Sequence, residues 1–213
     1  MQRRTLLALP LFGAAATAAA QSSKAAPGIV HTRVETPLGA FVIAVNPAQA
    51  PVTVANYLAY VDAKSLDGGA VYRIVNDANQ PPATKHRIAV VQWGMNLDDG
   101  HAPPLPPIGH ETTAGSGLRH LDGTVSMARL GPGTAASEFF ICVGAQPALD
   151  FGGGRNPDGQ GFAAFGQVVA GRAVVQALHR LGRSDDQYLR PPVAVLSVRR
   201  IAADAFTPDG TPR

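Results

Sequence analysis

A mainly β fold, a closed barrel of eight antiparallel strands capped by two α-helices, is predicted from three observations. The chain carries eight short apolar or alternating runs, only two segments with helical periodicity, and a load of 23 glycines and 18 prolines spread between them. Residues 28–35 alternate, Thr36-Pro37-Leu38-Gly39 reads as a turn, and 40–45 is a second apolar run, so a hairpin opens the fold. Pro51 suits a first helical position, and Val54, Tyr57, Leu58 and Val61 recur at helical spacing until Gly68-Gly69. Further strands are expected over 71–75, 88–95, 124–129, 139–143, 162–169 and 193–201. A second helix, carrying Val174, Val175, Leu178 and Leu181, opens after Gly171 and closes before Gly182. Two lone helices among so many strands argue for caps on a barrel, not for βαβ units.

The stretches 76–87, 96–121 and 150–161 are long and rich in Gly, Pro, Asn and Asp, and loops of that length are usually functional. A single domain over 28–203 is expected, followed by a tail over 204–213. In front of it, Arg3-Arg4 precedes an uncharged stretch of Leu, Ala, Phe and Gly that ends at Ala18-Ala19-Ala20. Residues 1–20 therefore read as a cleavable export signal with cleavage near Ala20, and 21–27 as a polar spacer. Pro10 and Gly13 interrupt the stretch, which is also short for a bilayer span, so no stable membrane anchor is expected. A periplasmic location follows, by either the twin-arginine or the general secretory route.

The formal charge is +3, and Arg3 and Arg4 account for two of those charges. The remainder, near neutral and without a basic run, lacks the electrostatic footprint of a nucleic-acid binder. The single Cys142 can form no internal disulfide and reads as a buried small hydrophobe. His101, His110 and His120 with Glu111 match no zinc spacing, and Ser126 lacks a Gly-x-Ser-x-Gly elbow. Asp150-Phe151-Gly152 and Gly152-Gly153-Gly154 mimic kinase and phosphate-loop fragments without the motifs that accompany them, and are turn chemistry. Neither a metal nor a cofactor is expected, and the protein is expected to be a monomer.

The segment Asp122-Gly123-Thr124-Val125-Ser126-Met127-Ala128-Arg129, followed by Ser137-Glu138-Phe139-Phe140-Ile141, resembles two signatures of the cyclophilin-type peptidyl-prolyl isomerases. The similarity extends through Ala50-Pro51-Val52-Thr53-Val54-Ala55-Asn56-Tyr57, Val71-Tyr72-Arg73-Ile74-Val75, Val90-Val91-Gln92, Leu149-Asp150 and Phe165-Gly166-Gln167-Val168-Val169-Ala170-Gly171. The 107–111 segment and the 151–161 insertion are similar to the bacterial, exported branch of the family.

The resemblance implies an enzyme that rotates X-Pro bonds in unfolded or partly folded polypeptides. It assigns catalysis to Arg73, with Gln92 orienting it, and gives Phe140 the floor of a proline pocket. Val90 and Leu149 are further walls, and Ala128 and Arg129 strand backbone beside the peptide. Phe139 is expected in the core, because consecutive strand residues point to opposite faces. The chain departs from the family pattern at Tyr72 (often His), Ala89 (often a pocket Phe), Glu138 (Gln) and Phe162 (a His at the rim). Trp93 is expected to refill part of the space opened at Ala89, and Ala148, in place of an aromatic, implies weak cyclosporin binding. The departures also motivate an alternative: a cyclophilin-fold module or holdase that binds proline segments with little catalysis.

Overall fold

The structure, a computed structural model, describes residues 28–97, 101–207 and 209. The expected export signal, the spacer and the end of the tail lie outside the described residues. Strands β1 (Val30–Thr36) and β2 (Gly39–Val45) form the opening hairpin. Helix α1 (Pro51–Asp62), β3 (Ala70–Val75) and β4 (Val90–Gly94) follow. Next come a one-turn helix α2 (Thr113–Ser116), β5 (Thr124–Met127), β6 (Glu138–Cys142), β7 (Ala164–Ala170) and helix α3 (Arg172–His179). The last two strands are β8 (Tyr188–Ala194) and β9 (Ser197–Ile201). All pair antiparallel in one curled sheet of order β8-β3-β4-β6-β5-β7-β2-β1-β9.

The sheet has nine strands because the eighth expected run divides. Its first part joins a strand that starts earlier, at Tyr188, and pairs with β3, whereas its second part pairs with β1. Between them the Val195 N–H donates to the Gly69 carbonyl and the Leu196 N–H to the Glu35 carbonyl, each at 2.8 Å. A bend of two residues thus carries the chain from one edge of the curled sheet to the other. The edges themselves do not pair along a full ladder. Pro191 and Pro192 hide β8 from a reading for strands, but an edge strand tolerates missing donors.

Alternation sorts the side chains into two apolar clusters. Val91, Trp93, Phe139 and Ile141 point inward with Phe41, Tyr57 and Phe165. The rings meet at angles: Tyr57 and Phe139 are edge-to-face with centroids 5.2 Å apart. Trp93 packs on Phe41 and Phe139 inside the curl, so it does not refill space beside Ala89. Their neighbours Val90, Phe140 and Cys142 point outward and gather Val75, Ile88 and Leu149 into the second cluster. Burial pushes the Cys142 thiol pKa up, which keeps it a neutral packing group.

Ala50, just before helix α1, offers no capping side chain. Glu111 supplies the cap instead, accepting from the Val52 and Thr53 N–H groups at 3.1 and 2.8 Å and from the Thr53 hydroxyl at 2.6 Å. That contact anchors the loop after β4. Helix α3 starts from Gly171 at φ +72°, where a Cβ would fall 2.3 Å from the Ala40 carbonyl oxygen, so glycine permits the close approach to β2.

Candidate active site

Strand β3 carries a bulge opposite Gln92. Val71 pairs with Trp93 and Arg73 with Gln92, so Tyr72 is the extra residue. Strict alternation would turn Tyr72 and Arg73 to opposite faces. The bulge brings both to Gln92, whose Nε2 donates to the Tyr72 Oη at 2.6 Å while its Oε1 accepts from Arg73 Nη1 at 2.8 Å.

A second glutamine holds the other side of the fork. Gln187 Oε1 accepts from Arg73 Nε at 3.1 Å and from Nη2 at 2.6 Å. Gln187 is itself fixed, donating from Nε2 to the Asn79 carbonyl at 2.9 Å and accepting the Ile74 N–H on its backbone oxygen at 2.7 Å. Of the five N–H donors of a guanidinium, three are engaged and one on each Nη remains. Both braces are neutral amides, so the positive charge stays uncompensated. A carboxylate brace would have quenched it.

The fork borders a cavity of about 470 Å³. Its apolar side is the outward cluster: Phe140 lies edge-to-face with Phe162 at 5.3 Å, with Leu149, Val90 and Ile88 around them. Ala128 and Glu138 border it as well. Arg129 lies on the wall with its side chain 1% exposed, donating to Asp158 at 2.8 and 2.9 Å and to the Gly161 carbonyl, and resting 5.1 Å from the Phe162 ring centroid. Two expected pocket residues stand elsewhere. Ala89 is absent from the cavity wall, because alternation along 88–92 turns Ile88, Val90 and Gln92 to it, and Ile88 supplies the apolar surface there. Tyr72 does not line the cavity and reaches it through two residues that do, Gln92 and Glu138.

Behind Phe140, His120 stacks on the ring at 5.9 Å between centroids and 16° between planes. Its Nδ1 lies 2.8 Å from Asp150 Oδ1 and its Nε2 3.0 Å from Ser126 Oγ. A carboxylate only accepts, so Nδ1 carries the proton and Nε2 accepts from the Ser126 hydroxyl. All three residues are buried, and burial, opposed by Asp150, holds the imidazole below its usual pKa. The unfolded chain then binds a proton that the folded one refuses. Stability should be fully present above about pH 6.5 and fall as the pH drops through that value toward the lower folded one. Urea unfolding from pH 7.5 to 5 should show this slope, and His120→Gln should flatten it.

Glu138 faces the cavity from the start of β6. Its Oε1 accepts from the Asn96 N–H and the Ser137 hydroxyl, each at 3.1 Å, and burial raises its carboxyl pKa. The expected non-ligands have other employment: Glu111 caps α1, and His110 Nε2 lies 3.2 Å from the Gln160 carbonyl. Among the described residues, no group of three His, Cys, Asp or Glu is placed to hold a metal.

Sequence reasoning missed Gln187, Ile88, Tyr188 and Arg155. Ile88 was legible, since period two from Gln92 reaches it. The other three come from irregular chain or from a strand interrupted by proline, where spacing carries no signal.

Comparison with known proteins agrees with this geometry. Two solved structures of the cyclophilin-type peptidyl-prolyl cis-trans isomerase of Cryptosporidium parvum share the fold. One superposes with a TM-score of 0.65 at 16% identity, covering 82% of this chain and 98% of that one. The other, solved in the presence of the dipeptide Ala-Pro, gives 0.64 at 16% identity, over 81% and 99% of the two chains. In sequence, the chain is 35% identical over 144 residues to peptidyl-prolyl cis-trans isomerase cyp18 of Streptomyces antibioticus, covering 67% of this chain and 79% of that protein. It is 31% identical over 152 residues to peptidyl-prolyl cis-trans isomerase A of Dickeya dadantii, covering 71% and 72%. With residues 30–200 matching the family model for these enzymes, the chain belongs to the cyclophilin-type peptidyl-prolyl cis-trans isomerases.

Proposed function

We propose that the chain accelerates rotation about X-Pro bonds of unfolded or partly folded proteins after their export, with Arg73 as the group that stabilises the twisted amide. Rotation about an X-Pro bond breaks amide resonance against a barrier of about 18–20 kcal/mol, and unassisted it takes tens of seconds or more. No covalent bond changes. As the amide twists, the prolyl nitrogen regains its lone pair and can accept a hydrogen bond that the planar amide cannot. A guanidinium N–H aimed at that position favours the twisted form alone.

The observation that carries this reading is the pair of neutral glutamines holding Arg73, charged and with free donors, at the mouth of the Phe140 hollow. The hollow takes the proline ring and excludes water, which strengthens the charge-assisted bond. A gain of about 10⁵ in rate requires roughly 7 kcal/mol, a sum that such a bond and desolvation can supply together. Gln92 orients Arg73 and faces the peptide, and the rim of Ala128, Glu138 and Phe162 receives the flanking residues. The alternative of a binding module drew on the departures at Ala89, Tyr72 and Phe162. Ile88 and Phe162 both line the cavity, so its apolar wall is kept despite the change at Ala89, which supports the enzyme. An isomerisation assay on a short Ala-Pro peptide tests the reading: turnover supports it, and binding without rate enhancement supports the module.

Export to the periplasm is supported by the Arg3-Arg4 pair, the apolar stretch and the Ala18-Ala19-Ala20 end. Protein recovered from the cell envelope should begin near Gln21. An N-terminus at Met1 in that fraction would count against cleavage.

A further inference from the structure

Three guanidinium groups line the cavity, from Arg73, Arg129 and Arg155. Arg129 is committed to Asp158 and the Gly161 carbonyl. Arg73 is held by neutral amides for the prolyl nitrogen. Arg155 has no such assignment. It stands in the insertion between Leu149 and Phe162, where its Nη1 donates to Gln80 Oε1 at 3.2 Å and to the His86 carbonyl at 3.0 Å. The next residue back is packed as firmly, since a Cβ on Gly154 would fall 2.2 Å from His86 Nε2. Two groups of the 76–87 loop thus hold the guanidinium by its Nη1. Its Nε and Nη2 have no hydrogen-bond partner, and no carboxylate pairs with it, among the described residues.

No carboxylate of the cavity wall is paired with it among the described residues. Glu138 is the single carboxylate among the described residues of that wall, and it is engaged by the Asn96 N–H, the Ser137 hydroxyl and Tyr72. Burial lowers the Arg155 pKa, and repulsion from Arg73 adds to it. An arginine stays charged nonetheless, so the repulsion persists in the empty site. An anion entering beside Arg155 relieves it and gains charge-assisted hydrogen bonds from donors already positioned. With proline in the Phe140 hollow and its nitrogen under Arg73, the residues next to proline occupy the rest of the cavity that Arg155 lines.

We infer that the site selects X-Pro segments bearing a carboxylate within two residues of the proline, with Arg155 as the group that holds it. This deepens, and rests on, the reading of the cavity as the isomerase site. The probes are peptides blocked at both ends, in pairs that differ by Glu against Gln immediately before or immediately after proline. A further pair, with free against amidated C-terminus two residues after proline, separates a chain terminus from a side chain as the source of the carboxylate. In one or more of these pairs, kcat/KM should favour the carboxylate by about tenfold. The ratio should shrink toward one at high ionic strength and in Arg155→Gln, and persist in part in Arg155→Lys, which keeps the charge. If the glutamine variant fails to fold, Arg155→Met, which keeps the aliphatic stem without the charge, takes its place. A ratio of one in every pair, with Ala-Pro peptides still turned over, overturns the inference alone. So does a preference that survives unchanged in Arg155→Gln. Absence of turnover on every peptide instead overturns the isomerase reading, and this inference with it.

Discussion

Arg73→Ala should lower kcat/KM for an Ala-Pro peptide by about 10²- to 10³-fold, the usual cost of removing one donor aimed at transition-state charge. Arg73→Lys should recover little of that loss. A lysine ammonium keeps the charge but cannot span Gln92 on one side and Gln187 on the other, and the donor directed at the prolyl nitrogen loses its aim. The fold should survive both changes, because Arg73 lies outside the inward core and its partners are neutral amides. A peptide-based isomerisation assay beside a circular dichroism melt separates the two effects.

The adjacent phenylalanines of β6 should respond in opposite ways. Phe139 is fully buried among Tyr57, Trp93 and Phe165, and Phe139→Ala should cost about 3–5 kcal/mol of stability, enough to unfold a marginal domain. Phe140 borders the open cavity. Phe140→Ala should cost less in stability, since solvent can enter the space, while KM for proline peptides rises by tenfold or more as about 1.4 kcal/mol or more of ring contact is lost. Urea unfolding and Michaelis kinetics on the two variants check the contrast. A KM effect from Phe139→Ala in the folded fraction, or none from Phe140→Ala, would contradict the assignment of faces.

Much of this arrangement is legible before any coordinates. Periodicity is a local signal, so the β1–β2 hairpin, α1, α3 and the strands around Phe140 follow from residues close together in the chain. The signature segments bring Arg73, Gln92, Phe140 and Leu149 to one cavity for the same reason. What escapes is non-local or irregular. Gln187 approaches Arg73 from 114 positions away, out of a turn with no period. The bulge at Tyr72 breaks the alternation on which any assignment of faces depends. Helix α2 is one turn long, too short for an apolar stripe, and is held by a Thr112 cap and a left-handed Gly117. Trp93 illustrates the opposite failure: alternation from Gln92 already turned it inward, and its place next to Gln92 in the chain drew it to the pocket. Arg155 lies in the 151–161 insertion, to whose residues the resemblance gives no role.

The most direct test is the interconversion rate of an Ala-Pro peptide at saturating protein, read by NMR exchange on the bound cis and trans forms, in the unmodified protein and in Arg73→Ala. The expected result is an on-enzyme rate at least about a hundredfold slower in the variant, with the dissociation constant changed by less than about threefold. An unchanged bound rate with weakened binding would show that Arg73 grips the peptide without easing its rotation, and would contradict the role given to the fork.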